Sequence, residues 1–236
     1  MGFRFQRFAG FLLVVLLWGS IALADNGNDN APNITVRMIN SAQVSAANLL
    51  EAEEAAARIL TSAGVEVAWR NCPNGSAIDD ACAGPLSSGE FVVNIVPTGK
   101  TATDLIFGIA FLGEDGTGRY CDAFFDRIAG ATPTLDPDTP HLLAAVVAHE
   151  LGHLLLGSRS HARFGIMTAV WQRESLHQIA MGRLLFTREQ SALIKARIER
   201  EDLLRVAASP SMGGLRRNSR MFTLSVSGRN PGNWDF

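Results

Sequence analysis

The sequence lacks an excess of charge of either sign. Its 236 residues include 21 Lys or Arg and 23 Asp or Glu, a formal net charge of -2. That excludes the basic surface on which nucleic-acid binding depends, so no nucleic-acid partner is expected. Cysteine is scarce, with three in all, which excludes a small scaffold held together by a disulfide framework. After the N-terminal region no apolar run approaches the roughly 20 residues that span a bilayer. No segment repeats at a fixed period, so a solenoid or propeller is excluded as well. With 47% hydrophobic residues the chain can bury one sizeable core, and two full domains would be cramped.

The strongest apolar run stands at the start. Arg4 and Arg7 precede the apolar residues 8–18, and Ala22-Leu23-Ala24 gives a small-x-small cleavage pattern before Asp25. Residues 1–24 therefore read as a secretory signal, with the mature chain beginning near Asp25 in a secreted or periplasmic location. No Cys follows the run to carry a lipid, and no membrane association is expected after cleavage; the mature protein is expected to be a monomer. Loss of Arg4 and Arg7 leaves 19 basic against 23 acidic residues, or -4. In an oxidising compartment Cys72 and Cys82, which flank a loop rich in Pro, Asn, Gly and Asp, are expected to form a disulfide. Cys121 sits in an apolar, strand-like run and reads as a buried small residue.

Residues 34–39 alternate and favour a strand, residues 44–63 carry Leu49, Ala52, Ala56, Ile59 and Leu60 at helical spacing, and residues 65–70 read as a second strand. A strand, helix, strand unit favours a right-handed crossover and a parallel pair. Three more strands are expected over 91–96, 106–112 and 119–128, the last two joined by a Gly-rich hairpin connection. A Pro and Asp rich linker over 132–139 leads to a helix with Thr139 as cap and Pro140 at its first position. Residues 171–185 read as a loop with short helical turns. Thr187-Arg188-Glu189-Gln190 opens a C-terminal helix over 191–206, and the Ser, Gly, Asn and Arg rich tail 208–236 is expected to be weakly ordered.

The chemistry concentrates in His149-Glu150-Leu151-Gly152-His153. Two His four residues apart lie one turn apart on one helix face, where they can grip a single ion. Zinc suits neutral imidazole, and a catalytic zinc takes three protein ligands plus a water. Glu150 lies beside that open position, where a carboxylate can act as general base and then acid in the hydrolysis of a peptide bond. Gly157 then offers a positive-φ residue to end the helix.

Downstream stand His161 and Gly165-Ile166-Met167. A helix with two His and a Glu, a stopping Gly, a third His and a Gly-Ile-Met turn resembles the metzincin zinc peptidases of matrixin or astacin type. Gly157 comes one residue later, and His161 two residues later, than in the family pattern, whose positions hold Leu156 and Arg159 here. The resemblance implies His161 as third zinc ligand and Met167 as an apolar floor beneath the metal. It also implies an α+β fold with a mixed five-stranded sheet, an early helix, a zinc-site helix and a C-terminal helix, the catalytic domain covering 25–207. It nominates residues 106–112 as an edge strand that pairs with an extended protein or peptide substrate, although a plain edge or interior strand reads equally well. A different class with the same helical motif, the gluzincins such as thermolysin, takes a Glu about twenty residues after the second His, and Glu174 lies 21 residues after His153. His141 reads as a surface or capping residue, and His177 as no more than a distant third-ligand alternative. The leading reading is a secreted zinc endopeptidase. The alternatives are a zinc-binding protein of the same fold without productive catalysis, and a zinc amidase acting on non-protein amides.

Overall fold

The computed structural model describes residues 33–73, 80–99 and 106–208. The expected signal 1–24 and the tail from 209 onward lie outside the described residues. Alternation in strand β1 (Asn33–Asn40) sends Ile34, Val36 and Met38 to one face, and all three are buried. Helix α1 (Ala46–Ser62) begins where the Ser45 hydroxyl accepts the Asn48 N–H at 3.3 Å, and it lays Leu49, Ala52, Ala56, Ile59 and Leu60 on that face. Strand β2 (Glu66–Cys72) returns parallel to β1. On the other side of β1 runs β3 (Glu90–Val96), also parallel, followed by β5 (Tyr120–Phe124), parallel to β3. The short β4 (Gly108–Phe111) pairs antiparallel with β5 and forms the sheet edge, giving the order β2-β1-β3-β5-β4. The fold is α+β with a mixed five-stranded sheet.

One expected strand is too long. The expected strand over 119–128 ends at Phe124, and helix α3 (Phe125–Ala131) takes over. The apolar run 123–125 does not alternate, so its period could not decide between the two states. Helix wins because it buries Ile128 and lets the Asp126 N–H reach the Pro97 carbonyl at 3.2 Å while Arg127 reaches the Ile106 carbonyl at 2.7 Å. A short 3₁₀ turn (Thr132–Thr134) follows.

Helix α4 (Thr139–Leu156) is the spine of the molecule. Its cap is Asp138, one residue before the expected Thr139, and the Asp138 carboxylate accepts the His141 N–H at 3.0 Å. A carboxylate accepts that bond more strongly than a hydroxyl and also complements the positive helix end. Every residue from Leu142 to Leu155 is buried, because α4 packs on α1, on the β4–β5 end of the sheet and on α6 (Arg188–Ala208). A helix apolar on all sides belongs in a core. His149, Glu150 and His153 are its polar exceptions, so each needs a partner or a task.

Between α4 and α6, the segment read as loop holds the eight-residue helix α5 (Arg173–Ala180). Ahead of α6, the Thr187 N–H donates to Gln190 Oε1 at 2.9 Å and the Gln190 N–H to Thr187 Oγ1 at 3.3 Å, a reciprocal capping box. On the outer sheet face Cys72 is joined to Cys82 of the short α2 (Asp80–Ala83), with Cα atoms 5.7 Å apart. Cys121 lies buried on the inner face of β5, where burial pushes its thiol well above the usual range. Among the described residues no helix is long and apolar enough to cross a membrane.

Candidate metal centre

His149 and His153 lie on the α4 face that turns toward β4 and the loop after Gly157. Each ring is fixed from behind. His149 Nδ1 is 2.7 Å from the Ile166 carbonyl, and His153 Nδ1 is 2.7 Å from the Ser158 carbonyl. A carbonyl oxygen can only accept, so each Nδ1 carries the proton and each Nε2 presents a bare lone pair. Those two nitrogens stand 3.1 Å apart. Two lone pairs facing each other at that distance repel unless a cation lies between them. Ligands on one tetrahedral ion at about 2.1 Å would stand about 3.4 Å apart, so the pair fits a zinc-sized ion. Burial favours the same neutral state, pushing the His149 imidazolium pKa down to about 4 and lowering that of His153.

The loop that brings the third His begins at Gly157, which ends α4 in the left-handed region at φ 63°. Ser158-Arg159-Ser160 reverses the chain, and His161 comes back against the helix. Its ring centroid lies 5.3 Å from that of His149 and 4.9 Å from that of His153. One ligand nitrogen from each of His149, His153 and His161 falls within a set spanning at most 4.8 Å. His161 is exposed, so this side of the group opens to the cleft. Glu174, the alternative third ligand, stands elsewhere: it is exposed on the first turn of α5 and accepts a bond from Gln178 Nε2 at 3.2 Å. His141 bonds to its capping partner Asp138, and His177 lies 3.6 Å from Asp136. We expect His161→Ala to remove most of the zinc found by elemental analysis and Glu174→Ala to leave it nearly unchanged. The reverse result would assign the third ligand to Glu174.

Beneath the histidines the chain turns at Gly165, φ 79°, and pairs back on itself, with the Ala162 N–H donating to the Met167 carbonyl at 2.7 Å. Met167 is buried under Gly152. A Cβ at Gly152 would overlap Met167 Sδ and come within 2.7 Å of Phe186 Cε1, so glycine is what allows helix and turn to close. Ala is favoured over Gly in a helix by about 1 kcal/mol, whereas overpacking a filled core costs about 1–3 kcal/mol. Gly152→Ala should therefore fail to stabilise the fold and cost up to about 2 kcal/mol in denaturant unfolding, and a stabilised variant would contradict this packing.

Glu150 points the other way, toward the sheet edge. A Cβ at Gly108 of β4 would lie 2.8 Å from Glu150 Cγ and Oε1, so this strand glycine makes room for the carboxyl group. Burial pushes the Glu150 pKa up to about 8 in the ion-free site; a cation held by the neighbouring imidazoles acts in the opposite direction. Together these groups line a cleft of about 590 Å³ whose other walls are mostly apolar, among them Leu135, Val146, Trp171 and Leu176. Trp171 stands edge-on to the His149 ring at 5.6 Å, and its Nε1 donates to the same Ile166 carbonyl at 3.2 Å. Sequence reasoning passed over Gly108, Trp171 and Arg159. Of the three, only Gly108 left a signal, as a glycine inside a strand pattern.

No protein-family model matches the chain, and no curated protein does. Among solved structures it is similar to archaemetzincin from Methanopyrus kandleri, with 16% identity over 72% of this chain and 98% of that one and a TM-score of 0.48. It is also similar to a zinc-dependent peptidase from Methanocorpusculum labreanum, with 13% identity over 67% of this chain and 99% of that one and a TM-score of 0.47. Neither is named as a matrixin or an astacin, the type that the sequence motif resembles.

Proposed function

We propose that the protein is a secreted, zinc-dependent endopeptidase in which His149, His153 and His161 hold the ion and Glu150 is the general base. The observation that carries the reading is the pair of bare Nε2 atoms 3.1 Å apart, each oriented by a protonated Nδ1 on a backbone carbonyl, with Glu150 beside them on the wall of an open cleft. Zinc bound there supplies a Lewis acid for a substrate carbonyl and lowers the pKa of water to about 7. The chain's own residues do the rest. Glu150 takes a proton from the attacking water and returns it to the leaving amine, and Gly108 keeps that carboxyl against the strand edge. The pairs Ile109–Asp122 and Phe111–Tyr120 fall in the hydrogen-bonded phase set by the Phe124 N–H on the Phe107 carbonyl, leaving the Gly108 and Ala110 amide groups on the edge that no strand among the described residues covers. An extended peptide can add to that edge as a further strand.

A purely structural zinc site closes its fourth position with another side chain. Here, among the described residues, three ligands converge and the remaining side faces the cleft. The free strand edge favours a peptide over other amides. Secretion rests on the N-terminal Arg4, Arg7 and apolar pattern, supported by the Cys72–Cys82 bond, which suits an oxidising compartment. Elemental analysis of the mature protein, run beside cleavage of a mixed peptide library, tests the reading. About one zinc per chain and cuts at internal peptide bonds that stop on chelation are expected. Zinc without cleavage of any peptide, or cleavage unaffected by chelation, would retire it.

A further inference from the structure

We propose that Arg159 is a specificity determinant, selecting peptides that carry an acidic side chain on the N-terminal side of the bond to be cut. This rests on the peptidase reading above. Among the described residues lining the cleft, Arg159 is the one charged side chain besides Glu150 and the three histidines. An exposed guanidinium among apolar walls is a recognition group for a carboxylate, which it can bind through two parallel N–H···O bonds. Among the described residues no carboxylate pairs with it. One of its five N–H donors is taken by the Leu112 carbonyl, which anchors the side chain and leaves the others for a ligand.

That anchor also fixes where the charge stands. Gly108 and Ala110 present their amide groups at the free edge of β4, and Leu112 is next in the same phase. By taking the Leu112 carbonyl, Arg159 ends the ladder that an incoming strand can use. Glu150 marks the opposite end, at Gly108. Antiparallel addition is slightly the more stable pairing, and it places the N-terminal half of the substrate at the Leu112 end. Four residues of strand span about 13 Å, so the acidic side chain falls about two to four residues before the cut bond. The short reversal Ser158-Arg159-Ser160, held by the Ser160 N–H on Ser158 Oγ at 3.1 Å, is what carries this arginine into the cleft between Gly157 and His161.

The test uses N-acetylated, C-amidated peptides that differ only by Glu or Gln at each position before the cut, assayed for cleavage with wild type, Arg159→Gln, Arg159→Glu and Arg159→Lys. Binding of the same peptides to the Glu150→Gln protein, with and without Arg159→Gln, is read in parallel by calorimetry. For wild type we expect a preference of about 10- to 100-fold for Glu at one such position, the range of a hydrogen bond to a charged group. The preference should appear in KM rather than kcat and weaken with salt. It should vanish in Arg159→Gln, reverse in Arg159→Glu and partly survive in Arg159→Lys. Hydrolysis with the Glu preference intact in Arg159→Gln, or a preference for a free C-terminus instead, would overturn the role of Arg159 while leaving the peptidase reading in place. Arg159-dependent binding of acidic peptides without hydrolysis of any would support Arg159 and retire the peptidase reading.

Discussion

Replacing Glu150 by Gln is expected to lower kcat/KM for peptide cleavage by at least 10²- to 10⁴-fold while zinc content stays at the wild-type level. An amide has nearly the shape of the carboxyl group but cannot take a proton from water, so what is lost is general-base catalysis, which commonly contributes that much. In free energy this is about 3–5 kcal/mol of transition-state stabilisation. Folding should not suffer. In the ion-free protein burial raises the folded Glu150 pKa from the ordinary 4.5 to about 8. Such a group contributes stability that is complete below pH 4.5 and lost as pH rises toward 8. Gln does not titrate, so the zinc-stripped variant should equal or exceed the stripped wild type in stability at neutral pH. Turnover like that of wild type would end the role given to Glu150. Loss of zinc together with activity would mean that the residue supports the site rather than the proton transfer.

The two helical histidines were legible because helical spacing is a local property: four residues make one turn whatever packs around them. Gly157 was legible for a similar reason, since a helix end commonly uses a residue that tolerates positive φ. His161 is different in kind. Its spacing departs from the family pattern, and only the folded reversal over residues 158–160 brings its ring to within 5.3 Å of His149. The same holds for Glu174, whose spacing fits a ligand while its place on the exposed turn of α5 keeps it apart. Strand order was out of reach of local pattern. That β4 is the edge follows from which strands pair, and the free side of Gly108 and Ala110 follows from the phase of that pairing. The strand expected over 119–128 runs past Phe124 because the apolar run 123–125 has no period that separates strand from helix, and burial of Ile128 decides for helix. The Asp138 cap shows a one-residue ambiguity between neighbouring good acceptors, Asp138 and Thr139.

The largest stability loss is expected on the far side of the sheet, where Arg37 of β1 meets Glu90 of β3. Strand alternation sends both to the outer face, yet both are buried, because the chain from Cys82 to Pro85 closes over them. The guanidinium donates to Glu90 Oε2 at 2.8 Å and to the carbonyls of Cys82, Gly84 and Pro85 at 3.1, 2.7 and 3.2 Å. Glu90 in turn accepts the Ser87 N–H at 2.7 Å, and Arg70 stands 3.6 Å away. Burial alone would raise the Glu90 pKa, but the Ser87 N–H, Arg37 and Arg70 together hold it below the usual carboxylate range. Removing one partner leaves the other charge buried, at a typical cost of about 3–5 kcal/mol. Arg37→Met should therefore lose about that much in denaturant unfolding and free the Cys82–Pro85 segment to exchange its amide hydrogens. Replacing Arg37 and Glu90 together with apolar residues should cost much less, since no charge is then stranded. Acid should mimic the single variant: with a lowered folded pKa, the Glu90 contribution is complete above pH 4.5 and lost as pH falls through the folded value. If Arg37→Met and the double replacement were equally unstable, the loss would lie in packing of the loop rather than in the ion pair.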